Sequence, residues 1–162
     1  MTGRRELSEA LATAVTEVGG LLRAWRSDPA ARDGVWEGSQ FKAQADARAH
    51  RALSLRLNVI DADVPVVSEE DPGSLTRDRP PRYWLIDPID GTASYVHGFD
   101  GYVTQAALVV GGRPEVAAVF APERGTLYTA VRGRGARRDG RPLPPQPPAP
   151  PGRGVLTDNT PE

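Results

Sequence analysis

Two aspartates three positions apart, at the end of an apolar run, are the residues in this sequence best suited to chemistry. The segment from Trp84 to Thr92 reads Trp-Leu-Ile-Asp-Pro-Ile-Asp-Gly-Thr, so that Asp87 and Asp90 precede a glycine and a hydroxyl. Two unit charges about 5 Å apart repel by roughly 3 kcal/mol at an effective dielectric constant near 20. A divalent cation would offset this repulsion, and hard oxygen ligands suit Mg²⁺. Proton sharing between the carboxyl groups is the alternative.

The glycine and the hydroxyl extend this interpretation from a metal ion to a phosphate group. Gly91 would let a backbone or a phosphate approach closely. A helix that begins just after Gly91 would offer free N–H groups to an anion. A metal site beside an anion site indicates phosphoryl chemistry, and the alternative is a capped strand-to-helix turn with two solvated aspartates.

A second acidic cluster follows another short apolar run. The segment from Val64 to Gly73 reads Val-Pro-Val-Val-Ser-Glu-Glu-Asp-Pro-Gly, which is typical of a strand that ends in carboxylates and a turn. If this strand and the one before Asp87 lie side by side, they gather three or four carboxylates. That is the arrangement of a two-metal site that clamps the attacking and leaving oxygens of a phosphate ester. The alternative is an acidic surface loop.

The elements that would position these acids are helices first and strands afterwards. Apolar residues at helical spacing predict one helix that ends at Ser27-Asp28-Pro29 and a second from about Lys42 to Val59. The expected fold is α+β, with two N-terminal helices packed on a largely antiparallel sheet. Strands are predicted near Val64–Val67, Tyr83–Ile86, Val103–Val110, Glu115–Ala121 and Thr126–Val131, with hairpin turns at 111–114 and 122–125 and a tight turn at 139–140.

The composition argues against several classes of function. The 162 residues carry a net charge of −1 and no cysteine, so there is no global basic surface for a nucleic acid polymer and no thiol chemistry. The histidines, His50 and His97, are too few and too scattered for a zinc site. Because no apolar run suits a signal peptide or a membrane span, no membrane partner is expected and the expected location is cytoplasmic.

Taken together, these residues resemble the inositol monophosphatase superfamily, whose members are Mg²⁺-dependent, lithium-sensitive phosphomonoesterases. The hexapeptide from Asp87 to Thr92 resembles the metal motif of the family. The segments 63–72 and 82–85 resemble the branch of CysQ-type 3′(2′),5′-bisphosphate nucleotidases, and Gly133-Arg134-Gly135-Ala136 resembles a turn of the family. The resemblance covers most of the chain and implies the N-terminal domain of the inositol monophosphatase-like fold.

The resemblance also implies a set of metal ligands. Glu69 would ligate the first Mg²⁺, Asp87 would bridge two metal ions, and Ile89 would offer its backbone carbonyl to the first. Asp90 would ligate the second metal ion. Asp46 corresponds to an acid near a third, weaker metal, although an exposed first-turn acid that complements the helix dipole is the alternative.

The catalytic roles implied by the resemblance fall on the same segment. Glu69 and Thr92 would orient the nucleophilic water, with Asp87 as the third catalytic residue. The backbone N–H groups of Gly91 and Thr92 would hold the phosphate oxygens of the substrate.

The sequence departs from the family pattern in its C-terminal part. The family carries a Trp-Asp motif in a second, C-terminal α/β domain, whereas the tryptophans here precede arginine, glutamate and leucine. We therefore expect residues 1–141 to be a metal-binding N-terminal domain, 142–154 a Pro-rich linker, and 155–162 the start of a missing second domain. An incomplete two-metal site is the expected result. Lys42 lies too close to Asp46 to be assigned the role of the family's loop lysine.

The sequence thus predicts a Mg²⁺-dependent phosphomonoesterase acting on a small phosphorylated substrate. Adenosine 3′,5′-bisphosphate, converted to AMP, is expected from the CysQ-like segments, with inositol 1-phosphate or histidinol phosphate as alternatives. A homodimer is possible because the family often dimerises. Two alternatives are not enzymes. The chain would then be an inactive truncated half, or an interaction module whose segment Arg141–Pro151 fits an SH3-domain ligand.

Overall fold

The fold is built from paired helices on one face of an antiparallel sheet. A computed structural model describes residues 3–28, 30, 33–37, 40–76 and 78–145. The helices are α1 (Arg4–Trp25), α2 (Gln44–Ile60), α3 (Pro72–Thr76) and α4 (Thr92–His97). The strands are β1 (Gly34–Glu37), β2 (Gln40–Ala43), β3 (Val66–Ser68), β4 (Arg82–Asp90), β5 (Val103–Val110), β6 (Arg113–Ala121), β7 (Thr126–Val131), β8 (Gly135–Arg138) and β9 (Arg141–Pro142).

Two sheets are present in this part of the chain. Strands β1 and β2 form an antiparallel pair, and the other strands form a seven-stranded sheet in the order β3-β4-β5-β6-β7-β8-β9. Strand β3 runs parallel to β4, and every later neighbour is antiparallel. The predicted α+β class, with two long helices on a largely antiparallel sheet, is confirmed.

The core lies between the two long helices and one face of the sheet. Helix α1 buries a stripe at helical spacing that includes Leu11, Val15 and Leu22, and α2 buries Leu53 and Leu57 in the same cluster. Burying one such leucine stabilises the fold by about 1.5–3 kcal/mol. Because side chains alternate along a strand, the opposite face of the sheet is left outside this core.

A polar network ties the end of α1 to the sheet. The guanidinium of Arg26 lies 2.7 Å from the Glu123 carboxylate and donates to the carbonyl of Phe99 at 2.8 Å. The Tyr102 hydroxyl donates to Glu123 at 2.8 Å, and Arg26 lies over the Tyr102 ring. Partial burial alone would raise the pKa of Glu123, but the Tyr102 hydrogen bond and the Arg26 charge outweigh burial and lower it. We call these side chains the Arg26 network.

Three local predictions need correction. Helix α2 begins at Gln44 rather than near Lys42, because residues 40–43 pair with 34–37 as a hairpin that was not predicted. Pro72-Gly73 opens α3 instead of a plain turn, and proline suits the first position of a helix. Strand β4 does not end at Ile86 but continues to Asp90 across an irregular register.

Two of the predicted segments, the Pro-rich linker and the start of a second domain, lie partly or wholly outside the described residues. Of the predicted Pro-rich linker, only residues 142–145 belong to the described part, and the rest of it lies outside the described residues, as do residues 155–162. Within the described ranges, no helix combines the length and apolar character that crossing a bilayer requires.

Candidate functional site

The acid-bearing segments meet where β3 and β4 pair. These strands run parallel, with Val67 opposite Leu85 and Ser68 opposite Ile86. The next residues in each strand direction are Glu69 and Asp87, so their carboxylates reach the same end of the sheet. Both belong to the lining of a cavity of about 370 Å³. The sequence prediction that the two strands lie side by side is therefore confirmed.

Asp87 is held where a negative charge is unfavourable. Burial, first, and then the charges of Glu69 and Asp90 raise the pKa of Asp87 from 3.8 to about 7. One of its carboxylate oxygens, Oδ1, is buried without a hydrogen-bond partner. Gln105, opposite Asp87 in the register of β5, donates a hydrogen bond to Asp90 at 3.0 Å. Asp87 is thus crowded by Glu69 and Asp90, and a hydrogen bond from Gln105 that favours its charged form does not offset them.

The irregular register between Asp87 and Asp90 has an identifiable cause. Pro88 cannot donate a hydrogen bond to the sheet, and proline within a strand is confined to edges, first positions and bulges. The strand contact at this point is made by a side chain, because the Thr104 hydroxyl of β5 donates a hydrogen bond to the Pro88 carbonyl. Asp87 and Asp90 are an odd number of positions apart, yet Asp87 interacts electrostatically with Asp90 as well as with Glu69.

Gly91 makes the turn that leads from β4 into α4. It adopts a left-handed conformation with φ of 93°, and a Cβ there would lie 2.7 Å from the Gly101 carbonyl oxygen. The Gly91 carbonyl accepts the first hydrogen bond of α4 from the Tyr95 N–H. The predicted helix start just after Gly91 is confirmed, and only glycine fits this position without displacement.

Thr92 connects this turn to α2. Its hydroxyl lies 3.0 Å from an Asp46 carboxylate oxygen and 3.1 Å from the Ile89 carbonyl oxygen, so it can donate its proton to either. Asp46 is only 2 % exposed, which excludes the alternative of a solvated first-turn acid. The Thr92 hydroxyl therefore contacts both Asp46 and the Ile89 carbonyl. Ile89 and Thr92 flank Asp90 and Gly91 in the sequence, so this contact brings Asp46 close to the acidic segment.

The loop that carries Glu69 is fixed by two serines. The Ser74 hydroxyl contacts the N–H and the carbonyl of Ser68, both at 3.1 Å. The Glu70 N–H donates to the Ser68 hydroxyl oxygen at 3.2 Å. Ser68 also lies 3.1 Å from Nδ1 of His50.

Sequence reasoning missed Gln105, Ser74 and the contact between His50 and Ser68. The available signals were weak: a polar residue inside the apolar strand β5, and a histidine one helical turn after Asp46. Neither is distinctive without knowledge of which strands pair.

The residues present match a hard divalent cation in their chemistry. All the donors are oxygens, as Mg²⁺ prefers, and the unpartnered Asp87 oxygen is an unused ligand atom. Among the described residues, however, no group of three His, Cys, Asp or Glu side chains is already arranged to hold a metal ion. The ligand set fits the ion but is not assembled by these side chains alone.

Comparison with known proteins gives a consistent result. Residues 4–159 match the sequence profile of the inositol monophosphatase family. The 3′(2′),5′-bisphosphate nucleotidase CysQ of Escherichia coli (strain K12) is 38% identical over 91 residues, which cover 56% of this chain and 37% of that protein.

Solved structures show the same fold. The extragenic suppressor protein SuhB of Bartonella henselae superimposes with a TM-score of 0.75 at 22% identity, covering 84% of this chain and 53% of that one. The IMPase of Thermotoga maritima gives a TM-score of 0.71 at 26% identity, covering 82% and 50%. The match therefore spans about half of these solved chains, and less of CysQ. The profile match extends over nearly the whole sequence, and the chain belongs to the inositol monophosphatase family.

Proposed function

We propose that this chain supplies the metal-binding part of a Mg²⁺-dependent phosphomonoesterase. The observation that carries the proposal is the crowding of Asp87 by Glu69 and Asp90, with a buried Asp87 oxygen that has no hydrogen-bond partner. A cation bound there would offset the repulsion among the acids. Family membership supports the same chemistry.

The proposed ligands are Glu69, Asp87, Asp90 and the Ile89 carbonyl, with Asp46 nearby. Bound Mg²⁺ would lower the pKa of a coordinated water and offset charge on the phosphate. The remaining ligands would come from a part of the full-length relatives that this chain does not match, since the described acids do not form a ready cluster.

Thr92 is the proposed orienting residue for the attacking water. Its proton is directed toward Asp46 or the Ile89 carbonyl. The hydroxyl oxygen is therefore free to accept a hydrogen bond from water, which would turn a lone pair of that water toward phosphorus. Glu69, which interacts with Asp87, is the proposed acceptor of the proton that the water loses.

The start of α4 is the proposed place for the phosphate oxygens. The first N–H groups of a helix have no carbonyl partner within that helix, and those of Gly91 and Thr92 come directly after the acids. The absence of a side chain at Gly91 lets an oxygen come close to the backbone.

The proposed substrate is a 3′(2′),5′-bisphosphate nucleotide, in particular adenosine 3′,5′-bisphosphate. Similarity to the E. coli CysQ nucleotidase supports it. Inositol 1-phosphate is the second candidate, supported by the similarity to the Thermotoga IMPase.

The test combines phosphate release with Mg²⁺ binding. Phosphate release from both substrates is measured with Mg²⁺ alone and with Mg²⁺ plus Li⁺, and Mg²⁺ affinity is measured by calorimetry. The Asp90→Asn change should abolish release and weaken Mg²⁺ binding at least about tenfold, because it removes a charged ligand. Asp78→Asn, at an exposed acid outside the site, is the matched control.

Each outcome has a meaning. Saturable Mg²⁺ binding that Asp90→Asn weakens, without phosphate release, would indicate a metal-binding part that needs a second domain. Mg²⁺ binding that responds equally to Asp78→Asn and Asp90→Asn would overturn the proposed site.

A further inference from the structure

Helix α2 contacts both acid-bearing segments from a single face. Asp46 and His50 are four residues apart, so they lie one above the other on the helix surface. Asp46 accepts a hydrogen bond from Thr92, which follows β4, and His50 contacts Ser68, which ends β3. One helical turn therefore spans the two strand ends whose acids must meet.

Ser68 is the point through which His50 reaches the acidic loop. It is fully buried, it directly precedes Glu69, and its carbonyl accepts hydrogen bonds from the Asp71 N–H and the Ser74 hydroxyl. Its own hydroxyl oxygen accepts from the Glu70 N–H. Turning the Ser68 side chain to another rotamer would move this oxygen away from the Glu70 N–H and loosen the turn that carries Glu69.

The direction of the hydrogen bond between His50 and Ser68 follows from the neighbours. A serine hydroxyl has one proton and two acceptor lone pairs, and the Glu70 N–H can only donate to it. Among the hydrogen bonds of the described residues, Nδ1 of His50 is therefore the partner that can accept the proton of this fully buried hydroxyl. A neutral histidine can accept that proton at Nδ1 only when its own proton sits on Nε2.

We propose that His50 is a positioning residue for the metal site. As the Nε2–H tautomer it accepts the Ser68 proton at Nδ1, fixes the Ser68 hydroxyl, and so holds Glu69 beside Asp87. Together with the Asp46–Thr92 contact, it makes α2 a brace, which we call the α2 brace, that sets the separation of the two acidic segments. The expected effect of His50 on Mg²⁺ binding rests on the proposed function. The tautomer of His50 and the ordering of the turn that carries Glu69 do not depend on it.

A purely structural role for His50 makes different predictions. If the ring only fills space, a leucine should replace it and an asparagine should not. If the acceptor at Nδ1 matters, His50→Asn should restore what His50→Leu loses, since the asparagine amide oxygen can stand in for Nδ1.

The first readout needs no metal. Hydrogen exchange of the Glu70 amide should speed up about tenfold or more in His50→Leu and return to within about threefold in His50→Asn, because the amide donates to Ser68. His97→Leu, at an exposed histidine, is the matched control and should leave Glu70 unchanged. Equal exchange in His50→Leu and in the unmodified chain would overturn the proposal.

The second readout is Mg²⁺ affinity by calorimetry. Residues that orient ligands typically change metal affinity about 10–100-fold, so His50→Leu should weaken binding in that range and His50→Asn should restore most of it. If the unmodified chain binds no Mg²⁺, the proposed function fails while the exchange result still decides the role of His50.

Nitrogen-15 NMR of the unmodified chain covers the case in which variants do not fold. Protonation at Nε2, with an unprotonated Nδ1 that shows coupling to a hydroxyl, is the expected state of His50. A neutral ring protonated at Nδ1 would overturn the proposal.

Discussion

Asp87 is the residue whose environment most clearly favours binding of a cation. Burial and two neighbouring carboxylates raise its pKa to about 7, and one of its oxygens has no hydrogen-bond partner. In the absence of a cation the protonated form therefore persists up to neutral pH. A bound divalent ion would reverse that preference and favour the ionised form.

The raised pKa predicts a pH dependence of stability for the metal-free chain. A folded-state pKa of about 7 against 3.8 means that the folded state binds more protons between these values. The free energy of unfolding should therefore fall as the pH rises from about 4 to about 7, and stay level above that range. Denaturant unfolding with a chelator, comparing the unmodified chain with Asp87→Asn, measures the contribution of this group. The same pH dependence in both would contradict the prediction.

Gly91 makes a second prediction at the residue scale. Gly91→Ala should destabilise the fold by more than the roughly 1–2 kcal/mol that a left-handed backbone costs an alanine, because its Cβ would also lie 2.7 Å from the Gly101 oxygen. Gly112→Ala is the matched control, since Gly112 has φ of 74° and open space around it. Denaturant unfolding measures both. Equal losses would mean that the Gly101 backbone moves aside without cost.

At the scale of elements, the site depends on which strands pair. The apolar segments between the turns at 111–114 and 122–125 predicted β5, β6 and β7, since hairpins join neighbours in the sequence. The acidic motifs predicted that two strand ends meet. The pairing of β1 with β2, the short β8 and β9, and the brace from α2 were not predicted, because periodicity gives the face of a residue but not its distant partner.

The Arg26 network gives an element-scale prediction. Glu123→Gln should destabilise the fold by about 1–3 kcal/mol, because the largely buried Arg26 would lose its nearer carboxylate partner and keep the longer 3.6 Å contact to the exposed Asp100. The pKa of Glu123 is lowered in the fold, so this stabilisation exists above its unfolded value of 4.5 and disappears as the pH falls through the folded value. Thermal unfolding at pH 7 and at about pH 3 measures the difference.

The exposed pair of Arg5 and Glu9 is the control for this prediction. Their contact is 3.0 Å long, but both side chains are more than half exposed. Such surface pairs contribute little, so Glu9→Gln should change stability by less than about 0.5 kcal/mol. A similar loss in Glu9→Gln and Glu123→Gln would show that the network adds nothing through burial.

At the scale of the whole molecule, one face of the main sheet is left uncovered by the two long helices. Leu85 and Tyr128 are among its exposed large apolar residues, and Leu85 lines the same cavity as Glu69, Asp87 and Leu75 of α3. The chain matches about half of the solved relatives. We propose that this open face is where a partner equivalent to the unmatched half of those relatives would pack, which would bring further ligands to the acids.

The open face predicts dye binding. An environment-sensitive anilinonaphthalene dye should fluoresce on the folded chain, and Leu85→Ser should reduce that signal several-fold because the residue lies beside the apolar cavity wall. Leu55→Ser is the matched control, since Leu55 is more exposed but lies on α2. If both variants reduce the signal equally, the dye does not report on the open face and the proposal loses its support.

The two edges of the main sheet determine whether molecules of this chain can associate by strand addition. One edge strand, β3, has three residues, and the other, β9, consists only of Arg141 and Pro142. Short edges that carry a charge and a proline offer few free N–H and C=O groups for strand addition by another molecule. Self-association of this chain should therefore proceed through side chains of the open face rather than through growth of the sheet into fibrils, and mild detergent should reverse it.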